Sequence, residues 1–355
     1  MTGTRGIPSV MGGVETHCEG LCPRLAALGT DITVVRRSAY VSDGLTEWEG
    51  VRLKDIKSPK VKALEAIVHT YRAVNYAARV HADIIHIHAI GPALMTPYAK
   101  LRGLRVVVTH HGPEYERDKW GGAARAMLRL GERLAVRYAD DLIVISEVIR
   151  KLVRDKYGRT KRIYTIPNGV PACVRCDDEA YFRELGIEPG KYILGMCRFV
   201  PEKRLQDLVE AVRGLEGYRL VLAGDADFED AYSRKLKSDA RAAGAVLPGF
   251  VTGDRRRALL THAACFVLPS SHEGLPIALL EAMSYGLKVV VSDIPANLET
   301  GLSPDSYFRC RDVEDLRRKL EARLSDKEEP DYDMSPYRWD SIAERVYRIY
   351  ESQDI

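Results

Sequence analysis

The chain has 355 residues, 46% of them hydrophobic, and a net charge of only +3. That is about twice the usual ~100–200 residues of one domain, so two domains are expected. The longest apolar runs, such as Ala263 to Leu268, fall far short of the ~18 residues a membrane span needs. The start shows no charged segment followed by an apolar one, so a cytoplasmic protein without a signal peptide is expected.

Seven cysteines, an odd number with no paired spacing, predict reduced thiols rather than a disulfide framework. Cys173 and Cys176 spell C-x-x-C, but zinc would need two further ligands at comparable spacing, so an exposed linker with free thiols is the expectation. Charge is uneven: residues 1–170 hold 27 Lys and Arg against 17 Asp and Glu, whereas the remainder holds 26 against 33. A basic half suits an anionic membrane surface or a phosphate-bearing substrate, with ordinary surface variation as the alternative.

In chain order, a glycine turn, Gly3-Thr4-Arg5-Gly6-Ile7-Pro8, comes almost at once, with only Met1 and Thr2 ahead of it. Such a turn normally follows a first strand, so a short central strand is expected to be missing, which would leave its neighbours with unpaired backbone groups. Met11-Gly12-Gly13-Val14-Glu15 follows, where adjacent glycines before a helix let backbone approach a ligand closely. Short β-branched runs then alternate with amphipathic stretches: Asp31 to Arg36, Ile84 to His88, Val106 to Thr109 and Leu142 to Ile145. That alternation predicts parallel α/β structure.

His86 and His88 share one face of their strand and are expected to pack or line a cleft rather than bind metal. His110-His111-Gly112 ends the next strand at the carboxyl edge, where open α/β sheets bind ligands. In Ala123 to Arg137, Arg125, Arg129, Arg133 and Arg137 recur every fourth residue and form a basic stripe on a helix.

Ile163 to Ile166 precedes the segment Ile166-Pro167-Asn168-Gly169-Val170-Pro171, whose punctuation suits a linker and places a domain boundary near residue 168. Domains of 1–167 and 168–335 are expected. A second strand series follows: Tyr192 to Cys197, Arg219 to Ala223, Cys265 to Leu268 and Val289 to Ser292. After the first of these, Arg198 and Lys203 put two cations in one strand-to-helix loop, suited to a departing diphosphate; a solvated basic loop is the alternative. Asp225 and Asp227 spell D-x-D, but no metal is assigned to them.

Pro269 to Glu281 again leads from strand to helix. Pro276 suits the first helical position, so N–H groups near Gly274 to Ala278 can bind an anion. Glu273 lies beside that site, and Glu281 about two turns along the helix suits paired hydroxyls of a sugar or ribose. An ordinary helix start with two surface carboxylates is the alternative. Residues 336–355 carry Trp339, Ile342, Val346 and Ile349 at helical spacing, and this helix is expected to pack back on the first domain.

Together these residues resemble glycosyltransferase family 4, whose GT-B architecture is two facing Rossmann-like domains with a cleft between them. The pattern E-G-L-P-I-A-L-L-E from Glu273 to Glu281, followed by Ala282-Met283 and Gly286, carries most of the likeness. The openings G-T-R-G-I-P and G-G-V-E are similar to a bacterial subgroup of rhamnosyl- and glucosyltransferases of polysaccharide assembly. The resemblance implies that Glu273 contacts the donor sugar, Glu281 the ribose, and Arg198 and Lys203 the diphosphate. The family often has Gly where this chain has Arg204. By the same resemblance His111, with His110 as substitute, lies near the transferred sugar, Gly12 and Gly13 approach the donor diphosphate, Glu15 lies on the acceptor side, Phe250 and Val251 contact the base, and Gly274 and Leu275 complete the donor site.

It further implies transfer with retention at the anomeric carbon. No enzymatic nucleophile is apparent, so a front-face reaction is expected. The expected partners are a nucleotide-sugar donor, a saccharide or lipid-linked acceptor and an anionic membrane surface, but no nucleic acid; no cofactor and no metal are expected. An epimerase of the same architecture and an inactive nucleotide-sugar-binding subunit are the alternatives.

Overall fold

The computed structural model describes residues 1–59, 62–117, 120–226 and 229–352. The chain forms two units, Met1–Gly169 with Pro336–Ile355, and Val170–Ser335. In chain order the first contains α1 (Gly13–Ala27), β1 (Thr33–Arg37), β2 (Glu47–Trp48), β3 (Val51–Ile56), α2 (Lys62–Arg79), β4 (Ile84–His88), α3 (Thr96–Leu101), β5 (Arg105–His110), α4 (Gly122–Tyr138), β6 (Asp141–Val144), α5 (Glu147–Tyr157) and β7 (Ile163–Thr165). The second contains α6 (Glu179–Leu185), β8 (Tyr192–Met196), α7 (Leu205–Ala211), β9 (Arg219–Ala223), α8 (Ala231–Ala242), β10 (Val246–Gly249), α9 (Gly253–His262), β11 (Cys265–Leu268), α10 (Ile277–Ser284), β12 (Val289–Ser292), α11 (Pro295–Leu298), β13 (Tyr307–Phe308) and α12 (Val313–Ser325). Helix α13 (Trp339–Tyr350) then returns to the first unit.

Strands of the first unit pair in two groups, β1-β3-β2 and the parallel set β4-β5-β6-β7. The expected gap between β1 and β4 is bridged by the first two residues. The Met1 amino group donates to Thr33 O at 2.6 Å and Val35 N donates to Met1 O at 2.9 Å. On the other side Thr2 N donates to His86 O at 3.0 Å, and His88 N to Thr2 O at 2.9 Å. Met1 and Thr2 therefore do, over two residues, what a central strand does. The expectation that the neighbouring strands face a gap is corrected at this level.

Helix α13 buries Trp339, Ile342, Val346 and Ile349 against Cys18, Leu21 and Leu25 of α1. Gly20 within α1 has a packing reason, because a Cβ there would lie 2.2 Å from the Trp339 ring; a Cβ at Gly169 would meet the same ring at 2.5 Å. Helix ends carry local signals as well. The Ser146 side chain accepts from Ile149 N to start α5, and Gly158 ends it in the left-handed region.

The second unit holds one six-stranded sheet in the order β10-β9-β8-β11-β12-β13, parallel throughout its described pairings. Its core joins Ile193, Leu220 and Val267 of the strands to Leu205 of α7 and Leu316 and Leu320 of α12. Counted from its own first strand, the unit has the order 3-2-1-4-5-6 of the doubly wound dinucleotide-binding fold. Strand direction of growth reverses between β8 and β11. That reversal is the point where such sheets bind ligands, outside the carboxyl ends of the strands.

Candidate active site

In the second unit, the loops leaving β8 and β11 carry the two cations and the first carboxylate of the expected donor site. They are tied to each other by backbone: Ser271 N donates to Glu202 O at 2.8 Å. Across this junction Lys203 Nζ lies 2.5 Å from Glu273 Oε1, both side chains largely buried. Burial on its own raises the Glu273 carboxyl, but Lys203 outweighs it and holds Glu273 below its ordinary value. A buried, ionised carboxylate thus stands beside a fixed cation, with Arg198 on the same loop as Lys203.

Arg204 explains how this loop departs from the family pattern. It sits at φ 49°, ψ 34°, in the left-handed region where glycine is the easy residue. Its guanidinium grips Asp207 bidentately at 2.6 and 2.8 Å, so an anchored side chain stands where a small one is more usual.

Helix α10 begins at Ile277, with Pro276 extended just ahead of it at φ −77°, ψ 104°. Pro276 is therefore the residue before the helix rather than its first residue. The first-turn amides of a helix lack acceptors within it and favour an anion there. Glu281 projects from this helix and is buried, which pushes its carboxyl above the ordinary value. Arg256 of α9 offsets part of that rise through an ion pair at 2.5 Å to Oε1. This partner was missed by the sequence reading, since only tertiary structure brings α9 to α10. Behind the loop, Ser292 Oγ donates to Ser270 O, and Asn297 Nδ2 to Ser292 O at 2.9 Å. All three residues are buried.

Leu275 is buried, Gly274 partly so. Phe250 and Val251 lie between β10 and α9; Val251 is buried, whereas half of Phe250 is exposed. An exposed aromatic face on that loop is free to stack. Asp225 forms an ion pair with Lys237 at 2.6 Å, and Asp227 lies outside the described residues.

In the first unit, Gly12 has φ 150° and precedes α1. A Cβ on it would come within 2.0 Å of Glu15 Oε2, so glycine is what lets Glu15 fold back. Nothing lies within 4 Å of a Cβ built on Gly13. Glu15 is buried, and its Oε1 accepts from Arg5 N at 2.8 Å and Thr4 Oγ1 at 3.3 Å. That geometry holds the opening glycine turn in place.

His110 and His111 part company. His110 Nε2 meets Glu132 Oε1 at 3.0 Å, in a buried network where Glu132 also accepts from Lys156 at 2.6 Å and from Tyr157 at 2.5 Å. Burial raises the Glu132 carboxyl, but His110, Lys156 and Tyr157 outweigh it and pull it down to about 2. His111 is less buried than His110, and its Nε2 lies 3.1 Å from His88 Nδ1. His86 packs as expected, with ring nitrogens 2.6 Å from Tyr350 OH and 2.7 Å from Thr109 Oγ1. On α4, Arg129, Arg133 and Arg137 are exposed and Arg125 half-buried. Among the described residues no helix is long and apolar enough to cross a membrane.

Two family models match the chain in succession, Glycosyltransferase Family 4 over residues 11–172 and Glycosyl transferases group 1 over residues 177–353. Among characterised relatives, the chain is 27% identical to an alpha-maltose-1-phosphate synthase of Mycolicibacterium smegmatis, over 97% of this chain and 96% of that one. It is 26% identical to a GDP-mannose:cellobiosyl-diphosphopolyprenol alpha-mannosyltransferase of Komagataeibacter xylinus, over 76% of this chain and 71% of that one. Among solved structures, HepE of Anabaena in complex with UDP-glucose superposes with a TM-score of 0.80 at 16% identity, covering 98% of each chain. With both halves matched and the fold shared over nearly its whole length, the chain belongs to the glycosyltransferases of GT-B fold.

Proposed function

We propose that this protein is a retaining hexosyltransferase that moves a sugar from a nucleotide-sugar donor to a saccharide or lipid-linked acceptor in bacterial cell-surface polysaccharide assembly. The observation that carries the reading is the meeting of Lys203 and Glu273 on loops leaving β8 and β11, at the reversal point of a 3-2-1-4-5-6 sheet. A relative that uses GDP-mannose with a diphosphopolyprenol-linked acceptor, and a structural neighbour in complex with UDP-glucose, support the substrate classes. The opening G-T-R-G-I-P supports a rhamnosyl or glucosyl subgroup.

In this reading Arg198, Lys203 and the start of α10 take up the charge that grows on the leaving diphosphate, which makes a metal unnecessary for transfer. Glu281 accepts from the ribose hydroxyls, its ionised form held by Arg256, and Phe250 stacks on the base. Glu273 accepts from sugar hydroxyls while keeping Lys203 oriented. The bond from the anomeric carbon to the phosphate oxygen breaks as that carbon bonds to the acceptor oxygen on the same face. The acceptor's proton passes to a phosphate oxygen. His111 hydrogen-bonds the transferred sugar, and Gly12 and Gly13 let backbone approach the diphosphate. Glu15 serves as a positioning residue for the opening turn, and the exposed arginines of α4 meet an anionic membrane surface.

Glu273→Gln and Arg198→Ala should each lower turnover by about 10²–10³-fold, the usual cost of removing one transition-state stabiliser. Each variant should keep its thermal unfolding profile. Product from an α-configured donor should be α-linked when read by NMR coupling constants. Wild-type turnover in both variants, or a β-linked product, would sink the assignment.

A further inference from the structure

His111, just past β5, is tied down at both its ring and its backbone. On the ring side its Nε2 lies 3.1 Å from Nδ1 of His88, at the end of β4. His17 packs edge-on against the same ring, with centroids 5.0 Å apart. Burial first, and the neighbouring imidazoles second, hold His88 and His111 well below their ordinary pKa. Near neutral pH each ring is therefore uncharged and carries a single N–H.

One proton lies between the two rings, and burial decides which of them owns it. His88 is wholly buried, and its Nε2 has no hydrogen-bond partner among the described residues. A buried N–H without an acceptor is rarer than a buried lone pair without a donor. His88 thus keeps its proton on Nδ1 and donates it to His111 Nε2. That leaves the proton of His111 on Nδ1.

The preceding residue carries the opposite arrangement. Gly112 N donates to His110 Nδ1 at 3.0 Å, so that nitrogen bears no proton, and His110 Nε2–H donates to Glu132 Oε1 at 3.0 Å. Gly112 has φ 125°, in the region that favours glycine, and its carbonyl accepts from Glu114 N at 2.9 Å. His110 therefore clips the turn that presents His111, and Glu132 anchors the clip. The other oxygen of buried Glu132 is held by Lys156 and Tyr157. Helix α4 comes this close because residue 131 is glycine; a Cβ there would lie 2.1 Å from Ile90 O.

We propose that His88 and the Glu132–His110 pair are positioning residues for His111, presenting its Nδ1–H as a donor to an oxygen of the transferred sugar, an assignment that rests on His111 being the sugar contact. A neutral N–H there has no lone pair with which to act as a base. That agrees with passage of the acceptor's proton to a phosphate oxygen.

Long-range hydrogen–nitrogen correlation NMR of the full chain, labelled with isotopic nitrogen in histidine, reads both ring nitrogens without any substrate. Signals lost in His110→Asn and in His111→Gln assign the two residues. His111 should show a protonated Nδ1 and an unprotonated Nε2, and His110 the reverse. Glu132→Leu should replace the single His111 tautomer by an averaged signal, whereas His110→Asn, whose Oδ1 still accepts from Gly112 N, should leave it as in wild type. A protonated Nε2 on His111, averaged tautomers in wild type, or an undisturbed His111 in folded Glu132→Leu would overturn the positioning. The first two of these outcomes are read on wild type and need no variant to fold. Wild-type turnover in His111→Gln would instead remove the sugar contact on which the use of this donor depends.

Discussion

Glu132 takes up four side-chain partners in the interior of the first unit: His110, Tyr115, Lys156 and Tyr157. Burial raises its carboxyl, but His110, Lys156 and Tyr157 outweigh that and hold it down at about 2, well below the ordinary carboxylate range. A depressed carboxylate stabilises the fold fully above the unfolded value and loses that contribution as pH falls through the folded one. The shift corresponds to about 3 kcal/mol. In urea unfolding between about pH 5 and pH 2, Glu132→Gln should therefore show a flatter loss of stability than wild type. Identical slopes would place the acid sensitivity elsewhere. Little of this network was legible in the sequence, because Glu132 reads there as one acidic residue on an otherwise basic helix. Glu273, Glu281 and Lys203 were legible, since spacing within a strand–loop–helix unit fixes where each must fall. Arg256 was not, and nor was the inward turn of Glu15, which depends on the backbone at Gly12.

At the level of elements, the runs of Val, Ile and Leu marked β4, β5, β8, β9, β11 and β12 to within a residue or so. Burial on both faces of a parallel sheet requires such continuous apolar sequence. The short strands β2 and β13 left no comparable trace, having only two residues each. Helix α13 was readable from its apolar spacing, whereas its seat over Gly20 and Gly169 was not. Helix α4 keeps its apolar side, including Leu128, Ala135 and Val136, against the unit and leaves Arg129, Arg133 and Arg137 exposed beside Leu130. Each cation near an anionic leaflet contributes about 1 kcal/mol. Replacing the three with glutamate should weaken co-sedimentation with phosphatidylserine vesicles by roughly 100-fold or more. Equal binding of variant and wild type would remove α4 from any membrane contact.

On the scale of the whole molecule, alternating strand and helix signals gave the α/β class and the doubled unit, but not strand order. Order depends on which side of the sheet each crossover passes, and a one-dimensional pattern does not carry that information. The bridging of β1 and β4 by Met1 and Thr2 was likewise invisible, because two residues have no periodicity to read. Once the order of the second unit is known, Arg198, Lys203 and Glu273 acquire a common location, and the central claim becomes that this junction binds a nucleoside diphosphate. Calorimetric titration of the full chain with UDP and with GDP tests it directly. Wild type should bind one of them saturably, and Lys203→Ala should weaken that binding about 10–100-fold, the range for a charge-assisted hydrogen bond. Failure of wild type to bind either nucleotide, or undiminished binding by a folded Lys203→Ala protein, would contradict it.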